Sequence, residues 1–293
     1  MTKKALITGG GGMLATDMAR VWSESGYDVV SLPHSKLDIT QADQVKQAIK
    51  TAAPDVVVHT PGIGVDVCET VPEDGFNLHT WSAGLVARQC QRSGVALVYI
   101  STCGLFGDEK RFNSEYDPVV LKTQYARSKF LGEQEAMRQC ERAFIIRPGW
   151  LFGGSPSHNR NFVYQRYLEA KRAEASDTPV LRSASDKFGS PTDTTELSAK
   201  ILAIVETAEY GLYHVTNAGA ASRYDYVKCI IEAFGLTTAV EAVTSDSFAR
   251  SAPVPDCELL DNLNVKFLGL EPLGPWQEAI QRYVAGLPAA DRV

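Results

Sequence analysis

Short apolar runs and helical repeats alternate through the first half of this chain. The runs at 5–8, 29–32, 56–60, 96–101 and 144–147 are mostly Val, Ile, Leu and Ala. Such runs predict strands covered on both faces. Between them, apolar residues recur at helical spacing near 14–25, 41–51, 76–92 and 124–139. Met13, Leu14, Met18, Val21 and Trp22, for example, fall on or near one face of the first helix. The alternation of strand and helix predicts an α/β fold with a doubly wound parallel sheet. Beyond residue 150 the rhythm loosens. Residues 153–159 (GGSPSHN) predict a loop, 161–170 a helix, 185–194 (SDKFGSPTDT) loop and turn, and 211–215 a returning strand. The expected division is a nucleotide-binding domain at 1–152, with returning segments near 187–216. A smaller lobe from 153–186 and 217–293 then covers the carboxyl ends of the strands, where open α/β sheets bind ligands.

A glycine cluster, Thr8-Gly9-Gly10-Gly11-Gly12-Met13-Leu14-Ala15, falls where the first strand becomes the first helix. Free backbone N–H groups and the helix dipole favour a pyrophosphate there. Gly10-x-Gly12-x-x-Ala15 fits the dinucleotide fingerprint, and Gly9-x-x-Gly12-x-x-Ala15 fits a close variant of it. Gly9 and Gly12 allow the tight turn and close approach, and the sheet takes on a Rossmann reading.

A later apolar run ends in hydroxyls, Ser101-Thr102, and is followed by Tyr125-Ala126-Arg127-Ser128-Lys129. A tyrosine four residues before a lysine shares its helix face. The spacing alone is not specific, because it recurs as Tyr167/Lys171 and Tyr224/Lys228. Only Tyr125 lies between the strand ending at Ser101-Thr102 and the next strand. Thr102, Tyr125 and Lys129 are therefore the candidate catalytic set for hydride exchange between a nicotinamide and a carbonyl. A free tyrosine ionises near pH ~10, and a nearby ammonium is expected to lower that value.

Composition narrows the class. Apolar residues make up 44% and charged residues 22%, which are globular values. The net charge of -6 argues against general nucleic-acid binding. No apolar run reaches membrane-spanning length, and the chain enters its first strand at once, leaving no room for a signal peptide. Cys68, Cys90, Cys103, Cys140, Cys229 and Cys257 are scattered without C-x-x-C pairs. They read as reduced thiols of a cytoplasmic protein, with no disulfide or metal framework. Asp66 and Glu69 in VDVCE read as a capping or dimer-surface pair, not as metal ligands.

The chain resembles the extended short-chain dehydrogenases/reductases, and within them the dTDP-4-dehydrorhamnose reductase branch. The matching segments run nearly end to end. They include ITGGGGMLATDM (7–18), PDVVVHT (54–60), VDVCE (65–69), YISTCGLFGD (99–108), YARSKFLGE (125–133), IIRPGWLFG (145–153), NRNFV (159–163) and KFGSPTDTTELS (187–198). The resemblance implies a nicotinamide cofactor, a nucleotide-sugar substrate and keto-group reduction. It implies cofactor contacts at Gly9, Gly12, Met13, Leu14, Thr60, Pro61, Gly62, Ser101, Tyr125, Lys129 and Pro148, with Asp38 and Ile39 beside the adenine. It implies substrate contacts at Thr102, Cys103, Trp150, Asn161 and Phe162. Three departures cluster near the expected sugar pocket. Ser-Thr-Asp-Tyr of that branch reads Ser101-Thr102-Cys103-Gly104, Asn-Ala-Ala-Ala reads His59-Thr60-Pro61-Gly62, and Pro-x-Asn-Ser reads Pro255-Asp256-Cys257-Glu258. Retained catalytic residues beside a changed pocket imply retained chemistry on a changed sugar.

Cofactor choice follows from the second strand. A carboxylate at its end would bind the ribose 2′-hydroxyl and select NAD. Here the end is polar or basic, with Ser31, His34 and Lys36, which suit a 2′-phosphate. NADP(H) is preferred, with NAD(H) the alternative. Two other readings stay open: an epimerase or dehydratase on this fold, and a non-catalytic regulatory member. The missing strand-end acid weighs against an epimerase, and the intact Thr102, Tyr125 and Lys129 against a regulatory role. A homodimer is the open assembly.

Overall fold

The computed structural model describes residues 2–174 and 179–291. Six parallel strands form the central sheet, in the order β2-β1-β3-β4-β5-β10. They are β1 (Lys4–Thr8), β2 (Asp28–Leu32), β3 (Val56–His59), β4 (Ala96–Ile100), β5 (Ala143–Pro148) and β10 (Gly211–Val215). Alternate residues of the apolar runs serve opposite faces. Ile7, Val58, Val98 and Ile146 pack against α1 (Met13–Glu24) and α8 (Thr194–Thr207). Leu6, Val57, Leu97 and Ile145 pack against α2 (Ala42–Ala52), α5 (Ser82–Ser93) and α6 (Gln124–Gln139). Burial on both faces is why these strands read as continuous apolar runs. The chain is an α/β protein with a Rossmann-like sheet. β1 pairs β2 on one side and β3 on the other, so the strand order reverses there. That reversal opens a crevice at the carboxyl ends of β1 and β3.

The expected helix at 76–92 is longer than its periodicity showed. It begins as α4 (Pro72–Gly75), passes through a π-helical stretch at Phe76–Trp81, and continues as α5. A short α3 (Val65–Thr70) precedes it.

The expected loop at 185–194 is corrected. It contains β8 (Phe188–Gly189) and β9 (Pro191–Asp193), and Thr194 opens α8 with Asp193 as its N-cap. Strands this short show no alternation, so only their partners define them. β9 pairs β6 (Trp150–Phe152), and β8 pairs β12 (Ala221–Ser222) and β14 (Cys257–Glu258). β7 (Val180–Ala184) pairs β13 (Ala239–Val243), and β11 (Asn217–Ala218) pairs β15 (Leu273–Pro275). With α7 (Phe162–Glu174), α9 (Arg223–Ala233), α10 (Leu263–Phe267) and α11 (Trp276–Gly286), these complete the elements used below. A second apolar cluster of Phe152, Val163, Tyr226, Ile230, Trp276 and Ile280 holds α7, α9 and α11 together. Among the described residues no helix is long and apolar enough to cross a membrane.

Candidate active site

β1 ends at Thr8, and the chain turns through the glycines into α1. Gly9 has φ +76°, and a Cβ on it would stand 2.8 Å from Thr60 Oγ1. Gly10, which opens the fingerprint, is tighter still. Its N–H donates to Leu32 O at 2.9 Å, so a Cβ would collide with Ser31 Oγ and lie 2.9 Å from Leu32 N. Gly12 is the N-cap of α1, no side chain caps that helix, and its first turn holds no acidic residue. Its free N–H groups and positive dipole end thus stay open to an anion. Ser31 Oγ lies buried beneath the loop without a hydrogen-bond partner. A backbone-only cradle at an uncapped helix fits a dinucleotide pyrophosphate. Gly10→Ala is therefore expected to weaken NADPH binding roughly tenfold or more, about 1.4 kcal/mol, with the circular dichroism spectrum unchanged. Wild-type affinity by calorimetry would refute the cradle.

The other expected cofactor residues divide between crevice and core. Thr60 Oγ1 donates to Thr8 O at 2.7 Å, and Pro61 leans on Gly9. Gly62 lies against Lys129 and His79. Pro148 ends β5, buried. His34 and Lys36 are exposed beyond β2. Met13 is half-buried. Leu14 and Ile39 are corrected: both side chains are core, so only their backbones are available to a ligand. The Asp38 carboxylate accepts from Thr40 N–H and Oγ1, and those bonds hold its pKa below the usual value. Ser101 is also corrected. It is buried, and its hydroxyl donates to Glu133, away from the crevice.

Thr102 lies two residues past the end of β4, and its Oγ1 accepts from Gly104 N–H at 3.1 Å. Thr123 caps α6 by accepting from Ala126 N–H at 2.9 Å, which puts Tyr125 in the first turn. Glu69 Oε1 accepts from Gln124 N–H at 2.6 Å at the same helix end. Glu69 is thus a cap for α6, and its neighbour Asp66 pairs with exposed Arg250. Tyr125 and Thr102 line the same cleft. Burial pushes the phenol up to about 12, against an opposing pull from the Thr102 side chain. Lys129, one turn on, donates from Nζ to Ile100 O at 2.9 Å. Burial pushes it down to about 8, with Glu133 pulling the other way. The expectation that Lys129 lowers the Tyr125 pKa is corrected: burial of the phenol dominates, and the ammonium is engaged with a carbonyl.

His79 also belongs to this group, and nothing in its sequence context marks it. Its Nε2 accepts from Ile63 N–H at 3.1 Å, which leaves Nδ1 to donate to Ser128 Oγ at 2.8 Å. Ser128 Oγ donates in turn to Tyr125 O at 2.9 Å. The His79 ring stands edge-on to the Tyr125 ring, centroids 5.3 Å apart. Burial, then the Lys129 charge, lowers the imidazole to about 2, so it stays neutral.

A cleft of about 890 Å³ opens beside Thr102 and Tyr125, under residues 245–255 and the start of α9. Trp150, Phe162 and Cys103 line it as expected. Cys103 is nonetheless largely enclosed, packed with Leu105 and Phe106, and burial raises its thiol pKa well above the usual value. An aspartate there would have to bury its charge. Asn161 is corrected. It is buried outside the cleft lining, where Oδ1 accepts from Tyr164 N–H and Nδ2 donates to Gly153 O, both at 3.1 Å. Five cations that sequence reasoning missed line the wall: Arg166, Arg182, Lys187, Arg223 and Arg250. They are scattered over 85 positions in sequence numbering and meet only through the fold. Four pair with carboxylates. The Arg223 guanidinium instead stacks 3.5 Å from the Trp150 ring centroid, with no ion pair among the described residues. Among those residues no group of His, Cys, Asp and Glu is placed to hold a metal.

Residues 3–288 match the family model described as the RmlD substrate binding domain. The chain belongs to the RmlD family. Two curated relatives are each 31% identical to it. The spore coat polysaccharide biosynthesis protein SpsK of Bacillus subtilis aligns over 96% of both chains. A dTDP-4-dehydrorhamnose reductase of Mycolicibacterium smegmatis aligns over 99% of this chain and 88% of its own. A solved dTDP-4-dehydrorhamnose reductase from Bacillus anthracis, in complex with NADP, superposes with a TM-score of 0.92. It is 26% identical and covers 98% of this chain and 100% of its own.

Proposed function

We propose that this protein reduces a keto group on a nucleotide-linked deoxy sugar with NADP(H). One observation carries the reading: Thr102 and Tyr125 line the cation-bearing cleft together, while Lys129 on the same helix reaches the glycine-crevice side at Gly62. The names of the RmlD relatives support the same chemistry. The nicotinamide, when bound, supplies the hydride. Tyr125, protonated at neutral pH, gives its proton to the carbonyl oxygen. Thr102 donates a hydrogen bond to that oxygen as charge develops on it. His79 and Glu69 position Tyr125 through Ser128 and the α6 N-terminus. Lys129 holds the nicotinamide ribose. Gly9, Gly12, Met13 and Thr60–Gly62 hold the rest of the dinucleotide, and Gly10 joins them. Arg223, near Glu258 but in no salt bridge among the described residues, is the anchor for the substrate diphosphate.

The residues at 1–152 with 187–216 carry the cofactor, and those at 153–186 and 217–293 carry the sugar nucleotide. The working assembly is a cytoplasmic homodimer, checked by sedimentation and by fractionation. The reductase reading is tested by following loss of NADPH absorbance over a panel of keto-sugar nucleotides that includes dTDP-4-dehydrorhamnose. No turnover of any member would overturn it. NADPH is expected to bind more tightly than NADH, because exposed His34 and Lys36, not a carboxylate, follow β2. Lys36→Glu is expected to remove most of that difference in calorimetric titrations. A wild-type preference for NADH would sink this assignment.

A further inference from the structure

Glu258 is the one carboxylate beside the reacting hydroxyls, and no role above uses it. Its Oε2 accepts from Trp150 Nε1 at 2.6 Å. That bond fixes the carboxylate, and Arg223 lies over the face of the indole, 3.5 Å from its centroid. The second oxygen, Oε1, has no hydrogen-bond partner among the described residues. It lies in the cleft lining with Thr102, Gly104 and Tyr125. A Cβ on Gly104 would stand 3.0 Å from Glu258 Oε1 and 3.5 Å from Thr102 Oγ1. The two oxygens therefore flank a single point, which is open only because residue 104 has no side chain. Glu258 also acts electrostatically on Tyr125 and Cys103.

We propose that Glu258 Oε1 is a specificity-determining acceptor that reads a hydrogen-bond donor on the sugar carbon next to the reduced carbonyl. The inference rests on the ketoreductase reading. In a 4-keto-6-deoxy sugar the flanking carbons are C3 and C5, and C5 bears the methyl group. The donor is then the substituent on C3, a hydroxyl or an ammonium. With the C4 oxygen held by Thr102 and Tyr125, the C3 substituent meets Glu258 across the space above Gly104. The Arg223 charge lies near this carboxylate, but with Oε1 accepting no hydrogen bond the site disfavours a substrate that brings no donor.

The test compares dTDP-4-keto-6-deoxyglucose with its 3-deoxy and 3-amino counterparts, using wild type, Glu258→Ala, Glu258→Gln and Gly104→Ala. Wild type is expected to favour the donor-bearing sugars over the 3-deoxy sugar by roughly 10- to 100-fold in kcat/KM. Glu258→Ala is expected to abolish that ratio. Gly104→Ala crowds the carboxylate and is expected to shrink it. Glu258→Gln keeps an acceptor for Trp150 but loses the charge. A selective loss of the 3-amino sugar in that variant identifies an ammonium, and retention of the 3-hydroxy ratio identifies a hydroxyl. Equal falls on all three sugars in Glu258→Ala would mean that the residue only supports Trp150, and would overturn the proposal. So would a wild-type ratio near one. Calorimetry with dTDP-glucose and dTDP-3-deoxyglucose, neither of which can be reduced, separates this inference from the reductase reading. Discrimination there by wild type but not by Glu258→Ala supports it even if no ketone is turned over.

Discussion

Tyr125→Phe is expected to cut turnover by roughly 10²- to 10⁴-fold, the usual range for removing a general acid, while leaving NADPH affinity nearly unchanged. The phenol ring stays in place against His79 at 5.3 Å, and α6 keeps its Thr123 cap. Only the hydroxyl and its proton are lost. Tyr167→Phe and Tyr224→Phe carry the same four-residue spacing to a lysine but are expected to remain active. Tyr167 is buried on α7 with its ring stacked 4.2 Å from Phe234, and Tyr224 lies in the first turn of α9. Steady-state kinetics with calorimetry on each variant decides the matter. An active Tyr125→Phe enzyme would overturn the catalytic assignment.

The largest effect on stability is expected from Glu133→Ala, at about 3–5 kcal/mol. Glu133 is fully enclosed, and Arg147 on β5 is 3% exposed. Arg147 grips the carboxylate through Nε at 2.8 Å and through its second guanidinium nitrogen at 2.7 Å, and Ser101 donates to the same group. Removing Glu133 leaves a buried guanidinium without its counter-charge. Replacing both partners with apolar residues of similar size is expected to recover much of the loss. Urea unfolding of the single and double variants measures this, and a single-variant loss below about 1 kcal/mol would show that water reaches the pair. The ion pair also ties β5 to α6 and to the residue before Thr102. Part of the loss therefore appears as weakened catalysis before the chain unfolds.

The centre of the sheet was legible because its inner strands are buried on both faces. Val56–His59 and Ala96–Ile100 have almost no polar residues to obscure them. The short strands at 188–193 were read as loop, because two or three residues carry no period and exist only through β6, β12 and β14. The catalytic set was legible for a related reason. Tyr125 and Lys129 are neighbours on one helix, and Thr102 sits at a strand end, so spacing together with the order of strands and helices grouped them as candidates.

What surrounds that set was not legible. Ser101 and Asn161 look like site residues in sequence, yet the fold gives their polar atoms to Glu133 and to the start of α7. His79, the five cations and Glu258 carry no local signal of their roles, which arise from segments distant in sequence. Glu258 belongs to a departure from the family pattern that read only as a loss, and it was the pairing of β14 with β8 that brought its carboxylate beside Gly104. Short-range periodicity and spacing encode backbone hydrogen bonding and the burial of neighbouring side chains, so they specified the sheet, the glycine turn and the reacting hydroxyls. Pocket charge, the pKa of Tyr125 and the acceptor facing the sugar depend on desolvation and on contacts between distant segments. Those quantities take values only once the lobe has closed over the sheet.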